Sequence, residues 1–368
     1  MKRTLLAALA ALLTVSFSAA AQDAEEEGNH LDFTLIPRIE GAVQSLNLDG
    51  GRQTSLGLAN STLSAVLEGN FTDNLYVYGQ FVFADSDPKA LYANSLRPDE
   101  CTWVRMFLLT YSLGNLDISL GKDVLAFGGF EKSENEFDNY FDILSTSWHQ
   151  IQPYLWGGNL SYNINEDNAV FFQAVNSPIV LDEEKPLAFQ NGLFTFSAGW
   201  NGKMCDGWET KWSVTHMDTG ETADTGLAVN YKMLSIGNRW TAGPWQFTLD
   251  LEARAQGAAT MVNNEMTSVG EVRLKGGNFN AFAKFGWEFC HQTESNYFAF
   301  GEDKYIDGLI VPNILTPEKD LLFGGLGLEY YPLKDNDNLR LHLVGAANNF
   351  GGLSLTAGLT YFLNFRLF

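Results

Sequence analysis

The chain has 368 residues and carries 44 Asp and Glu against 23 Lys and Arg, a net charge of −21, which argues against a nucleic-acid partner because phosphates need a basic footprint. Three cysteines, Cys101, Cys205 and Cys290, are too few and too scattered for a disulfide scaffold. The odd number leaves at least one unpaired; they read as incidental, with a pair among them left open. Mean hydropathy is −0.10, and 35 Gly, 13 Tyr, 9 Trp and 27 Phe make a glycine- and aromatic-rich composition suited to a large closed β-sheet.

At the start of the chain, Lys2 and Arg3 precede an apolar run from Leu5 to Val15, followed by Ala19, Ala20 and Ala21. A charged region, an apolar core and an Ala-x-Ala site together predict a signal peptide over residues 1–21, cut before Gln22. An N-terminal membrane anchor is the competing reading, but the run is short and the acidic stretch Asp23 to Glu27 follows at once. Losing Lys2 and Arg3 removes two positive charges and leaves about −23. No later segment gathers about twenty apolar residues, so no transmembrane helix is expected in the mature chain. Export without a membrane helix leaves a periplasmic, secreted or outer-membrane product. Residues 22–31 read as a short acidic periplasmic segment and 32–368 as the barrel described next.

Hairpins run from end to end. Leu116 to Asp123 alternates as a strand. In Trp245 to Arg254, Trp245, Phe247, Leu249, Leu251 and Ala253 share one face against Gln246, Thr248, Asp250, Glu252 and Arg254. Met266 to Lys275 and Ala281 to Cys290 repeat the pattern, and in all three the charges occupy one face only. Side chains on a strand alternate with period two, so each strand has one apolar and one wet wall. A charge aimed at lipid costs about 2–4 kcal/mol at mid-membrane, which explains the exclusion. The final segment, Leu353 to Phe368, sets Leu353, Leu355, Ala357, Leu359, Tyr361, Leu363, Phe365 and Leu367 on one face. Phe368 falls out of phase with them, so either a bulge shifts the register or the terminal ring points inward.

Turn-like segments at 71–74, 113–115, 165–167, 241–244, 276–278 and 334–338 alternate with longer polar stretches at 85–100, 124–152, 177–190 and 291–320. Short turns on one side and long loops on the other are the arrangement of outer-membrane barrels. The predicted fold is all-β: a transmembrane antiparallel β-barrel of about sixteen strands, with short periplasmic turns and long extracellular loops. An even count puts both termini on the periplasmic side, in the outer membrane of a Gram-negative bacterium.

The stretch after Asp123 is the functional candidate. Phe127-Gly128-Gly129-Phe130 breaks the alternation, and Glu131, Glu134, Glu136, Asp138 and Asp142 follow with Lys132 as the opposing base. A sixteen-stranded lumen is an aqueous channel unless something narrows it, and a long loop folded inward would do so. Carboxylates around a constriction favour cations. Two other readings stand beside this one: an acidic loop kept outside for solubility, and Ca²⁺ held by some of these oxygens, although no EF-hand spacing is present. No metal or cofactor is expected.

Alternation also sorts the wall charges. Acids expected to face the lumen are Glu68, Asp117, Glu209, Asp250, Glu252, Glu271, Glu288 and Glu329. The bases are Lys211, Arg254, Arg273, Lys275, Lys284, Arg340 and Arg366, with Lys232 the least clear. The sets nearly cancel, which predicts a transverse field and weak selectivity.

The run Leu116-Asp117-Ile118-Ser119-Leu120-Gly121-Lys122-Asp123, then Phe127-Gly128-Gly129-Phe130-Glu131, resembles the strand-to-loop passage of the phosphate-selective porin superfamily (porins O and P and their relatives). Gly157-Gly158-Asn159-Leu160-Ser161-Tyr162 and Ala174-Val175-Asn176 resemble the same family's next hairpin. The resemblance implies a sixteen-stranded homotrimeric porin whose third extracellular loop enters the lumen. Phosphate-specific members carry an arginine ladder and a lysine cluster. Here the bases are matched by acids and the loop is acidic, so phosphate selectivity is not carried over.

Enzymatic readings find little support: Gly-x-Ser-x-Gly, His-Glu-x-x-His and Cys-x-x-Cys are all missing from the sequence. His342 with Ser354 is the across-hairpin pair to check for a barrel hydrolase. A transporter of the TonB type needs a plug domain and more strands than this length allows. Two hypotheses remain. One is a passive diffusion porin for ions and small polar solutes, with outer-membrane lipid around it and the barrel-assembly machinery engaged through the C-terminal strand. The other is a non-conducting binding or structural barrel whose lumen is closed by residues 124–152. Phe127, Phe130, Phe137, Tyr140, Phe141, Trp148, Tyr154 and Trp156 fit either packing of the loop on the wall or stacking on a sugar.

Overall fold

The alternation closes into a cylinder. The computed structural model describes residues 29–48, 51–58, 61–85, 103–131, 145, 154–178, 192–221, 228–256, 265–290, 320–333, 336–349 and 351–367. The sixteen strands are β1 (His30–Leu48), β2 (Gly51–Leu58 and Thr62–Thr72), β3 (Leu75–Asp85), β4 (Val104–Leu113), β5 (Leu116–Val124), β6 (Tyr154–Asn165), β7 (Asn168–Asn176), β8 (Phe194–Cys205), β9 (Trp208–Glu221), β10 (Ala228–Ala242), β11 (Trp245–Gln256), β12 (Glu265–Lys275), β13 (Phe279–Cys290), β14 (Leu321–Tyr330), β15 (Leu339–Asn348) and β16 (Leu353–Tyr361 and Leu363–Arg366). Each pairs antiparallel with its chain neighbours, and β16 pairs back onto β1, so no sheet edge remains open. β1 begins at His30, two residues before the expected start of the barrel.

The two interrupted strands have local causes. In β2 the register steps from Gly41↔Leu58 to Arg38↔Thr62, so β2 carries one extra residue, a bulge. The step flips the side-chain phase: Leu56 and Leu58 face out before it, Leu63 and Leu67 after it. In β16 the assignment lapses at Phe362 beside Pro37 of β1, which has no N–H to give. The register itself does not shift between Leu353 and Arg366, so no bulge rephases this strand. Phe368 lies outside the described residues.

Turns at 73–74, 114–115, 166–167, 206–207, 243–244 and 276–278 gather at one end, where His30 sits opposite Asn70 and Arg366 opposite Asp32. The long connections 86–103, 125–153, 177–193 and 291–320 leave from the other end. The 206–207 turn was not among those expected; Gly207, at φ 77°, supplies its left-handed position.

Polarity is reversed relative to a soluble fold. Leu326, Leu120 and Ile39 are 68%, 62% and 58% exposed on the outside, while Glu40, Glu288 and Arg254 are fully buried inside. Tyr111, Tyr162, Trp245, Phe279 and Tyr330 face outward beside the short turns, and Trp103, Trp156, Phe194 and Trp287 near the long-loop end. Two aromatic girdles flanking an apolar band are what a bilayer selects. This is a transmembrane barrel.

Two expectations fail on register. Lys232 lies on the outward phase of β10, because Tyr231, Met233 and Ser235 take the inward one. His342 faces Gly358 across the β15–β16 ladder, and Ser354 faces Ala346, so the two cannot form a catalytic pair. Cys205 is an exposed free thiol; Cys101 and the Cys290 side chain lie outside the described residues.

Candidate functional site

The inward phase carries apolar side chains beside the polar ones, and one group of them is covered by a loop. Met217, Tyr231, Met233, Leu155 and Val175 form that group, and Leu125 and Phe127 of the β5–β6 connection pack onto them. That cluster is the apolar seat on which the connection turns inward. Gly128 takes φ 76°, which glycine adopts without strain, and turns the chain along the wall. Gly129 then lies flat on Gly237 of β10: a Cβ at Gly129 would collide with the Asp250 carboxylate and the Gly237 Cα. This explains the Phe-Gly-Gly-Phe order.

Hydrogen bonds to four strands hold the segment. The Ala126 N–H donates to Gln173 Oε1 of β7 at 2.8 Å, and Gln173 Nε2 donates back to the Val124 carbonyl at 2.9 Å. The Gly128 N–H donates to Ser235 Oγ of β10 at 3.1 Å. Asp250 of β11 accepts twice, from Phe130 N–H at 2.9 Å and Glu131 N–H at 2.5 Å. Lys284 of β13 closes on Glu131 Oε1 at 2.9 Å, and that oxygen also accepts the Ser145 N–H at 2.8 Å. Charged acceptors on otherwise orphaned backbone donors are among the stronger hydrogen bonds, about 1.5–3 kcal/mol each.

Beyond the pinned segment, the Phe130 ring is flanked by two cations, Arg239 at 4.4 Å and Lys211 at 5.2 Å from its centroid. Phe130, Glu131, Arg239, Thr248, Asp250, Glu271, Arg273 and Lys284 line one hollow in the lumen. Arg273 pairs with Glu271 at 2.9 Å and stacks on Phe282 at 5.6 Å. Glu209 stands 3.9 Å from Arg239 and is half exposed.

The other expected wall residues fall into separate clusters. Arg254 lies 3.2 Å from Glu265 and 3.7 Å from Glu288; Tyr231 and Thr267 donate to those carboxylates, and Glu252 is buried on the same inward phase. These charges are locked to one another and do not face open water. Glu329 accepts from Asn280 and Tyr331, at 3.1 Å each, near the short-turn end. There Arg340 stacks on Phe362 at 4.3 Å, Lys275 is exposed, and Arg366 pairs with Asp32 at 3.2 Å. Glu68 meets the Tyr76 hydroxyl, and Asp117 accepts from Ser112 and Asn163. Lys132, Glu134, Glu136, Asp138 and Asp142 lie outside the described residues, as do Phe137, Tyr140, Phe141 and Trp148.

Sequence reasoning missed Arg239, Gln173 and Ser235. Arg239 was legible, since it shares the phase of Ser235 and Gly237. Gln173 and Ser235 carried no signal that separates them from other lumen-facing polar residues.

No family model and no curated protein matches this chain. Solved structures do match along nearly its whole length. The outer membrane channel DcaP of Acinetobacter baumannii aligns at a TM-score of 0.58 with 11% identity, covering 94% of this chain and 100% of that one. An anion-selective porin from Comamonas acidovorans aligns at 0.56 with 10% identity over 90% and 100%. The in-vitro folded OmpT of Vibrio cholerae, an outer membrane protein solved in a trimer form, aligns at 0.52 with 12% identity over 92% and 100%. The chain therefore has the fold of Gram-negative outer-membrane porin barrels.

Proposed function

We propose that this protein is an outer-membrane porin, a passive and weakly selective diffusion channel for ions and small polar solutes, and not an enzyme. The observation that carries the reading is the segment Ala126 to Glu131, hydrogen-bonded to the inner wall on four strands. A loop held that way narrows an aqueous lumen. The resemblance to solved channels and porins supports the same reading, and the trimer form of one of them supports a homotrimer in outer-membrane lipid. Assembly through the C-terminal strand follows from β16 being the strand that closes the barrel.

Weak selectivity follows from how the charges are matched. Glu131 is neutralised by Lys284, and Asp250 is occupied by two backbone donors. Arg239, Lys211 and Arg273 stand against Glu209 and Glu271 around the hollow. Opposed charges set up a transverse field that orients dipolar solutes without holding one.

The test is the reversal potential of the purified protein in a planar bilayer under a KCl gradient. Stepwise conductance with a small reversal potential is the expected result. A folded barrel that conducts nothing would overturn the porin reading in favour of a closed binding or structural barrel.

A further inference from the structure

A closed barrel has one pair of strands that cannot form by hairpin folding: the first and the last. Here β16 must be captured by β15 on one side and by β1 on the other, some three hundred residues away in sequence. Within the inward row Glu40–Gly358–His342, the central position belongs to β16 and has no side chain. His342 of β15 reaches over that glycine, and its Nε2 meets Glu40 Oε2 of β1 at 2.7 Å with both side chains fully buried. Arg38, two residues along β1, donates to the same oxygen at 2.6 Å. A Cβ at Gly358 would stand 2.5 Å from the Ile39 carbonyl oxygen of β1 and 2.8 Å from the His342 ring, so the ladder and the crossing both require glycine there.

Glu40 is also held from its other side. It sits where the β1–β2 ladder lapses at the bulge, and Ser61 stands in for the missing strand partner. The Glu40 N–H donates to Ser61 Oγ at 2.9 Å, and that hydroxyl donates to the Glu40 carbonyl at 3.0 Å. One residue therefore ties four consecutive strands: β2 through its backbone, β1 and β15 through its side chain, and β16 beneath the crossing.

We propose that Arg38, Glu40 and His342 form a staple across the closing strand that locks the seam of the barrel. Neighbouring strands are already joined by their ladders; this staple joins second neighbours, so β16 cannot leave either side without breaking it. The seam charges neutralise one another within the wall, which assigns them to closure and not to the channel.

The experiment uses the full chain refolded in detergent, reading the temperature at which the barrel loses its resistance to SDS, together with hydrogen exchange. His342→Ala and Glu40→Gln should each lower that temperature by on the order of 5–10 °C, as expected when one partner of a buried pair is removed. The double variant should cost no more than the worse single one. Gly358→Ala should cost at least as much as His342→Ala, because its methyl displaces the ring and also presses on the Ile39 carbonyl of β1. Exchange should quicken in β1 and β16 and stay unchanged in β7 and β8. If His342→Ala fails to refold, His342→Gln, which keeps a donor, carries the test and should sit between it and the parent. Unchanged resistance, additive losses, or faster exchange spread evenly around the barrel would each overturn the staple.

Discussion

The wall formed by β9 to β13 and the seam formed by β15, β16, β1 and β2 both bury charge on the inward face, and they do so by opposite means. On the first wall, Asp250 and Lys284 are satisfied by a loop that arrives from β5, and the apolar Met217, Tyr231 and Met233 are covered by the same loop. At the seam, Arg38, Glu40 and His342 satisfy one another across the wall itself. A buried ion cluster in a barrel is therefore not a functional label by itself. What matters is whether its partner belongs to the wall or to something the wall must hold.

The largest effect is expected at Arg254, whose partners Glu265 and Glu288 belong to the wall although it sits on the loop-bearing side. Arg254→Met should cost about 3–5 kcal/mol of barrel stability by stranding two buried carboxylates, while leaving the reversal potential nearly unchanged. Denaturant unfolding in lipid vesicles alongside bilayer recordings would check both halves. Next in size, Leu251→Arg on β11 and Leu359→Arg on β16 should each lose about 2–4 kcal/mol, since both face lipid. Equal losses in unfolding experiments would show that the two walls differ inside only. Glu131→Gln should cost about 1.5–3 kcal/mol of loop docking and move the reversal potential toward anions, because Lys284 loses its neutralising charge. The smallest effect is expected for Arg239→Ala, which removes the stack on Phe130, about 0.5–2 kcal/mol, and should move the potential toward cations.

Much of the barrel was legible because lipid punishes misplaced charge. β11, β12 and β13 keep every charged residue on one phase, so their inner and outer faces could be read directly, and the four long connections stood out by length. Lys232 misled because Tyr231 and Met233 are apolar residues on the wet phase, where they face a loop and not water. Periodicity reports which side a residue is on, not what covers it. The β2 bulge was hidden for a related reason: it swaps phase between Leu58 and Leu63, and each half alternates correctly by itself. The partners of the inward segment were beyond reach, since Phe130 and Asp250 lie 120 positions apart with no spacing rule to link them. The staple was likewise unreadable, because it depends on which row Gly358 occupies between two other strands.

Asp250 is where the account is most exposed, since its carboxylate accepts the two backbone donors that hold the loop against the wall. The decisive measurement is the single-channel conductance of Asp250→Ala beside the parent protein in the same bilayer. A released loop predicts larger, noisier steps from a barrel that still resists SDS as the parent does. Identical conductance from an equally stable barrel would contradict the claim that this segment narrows the channel.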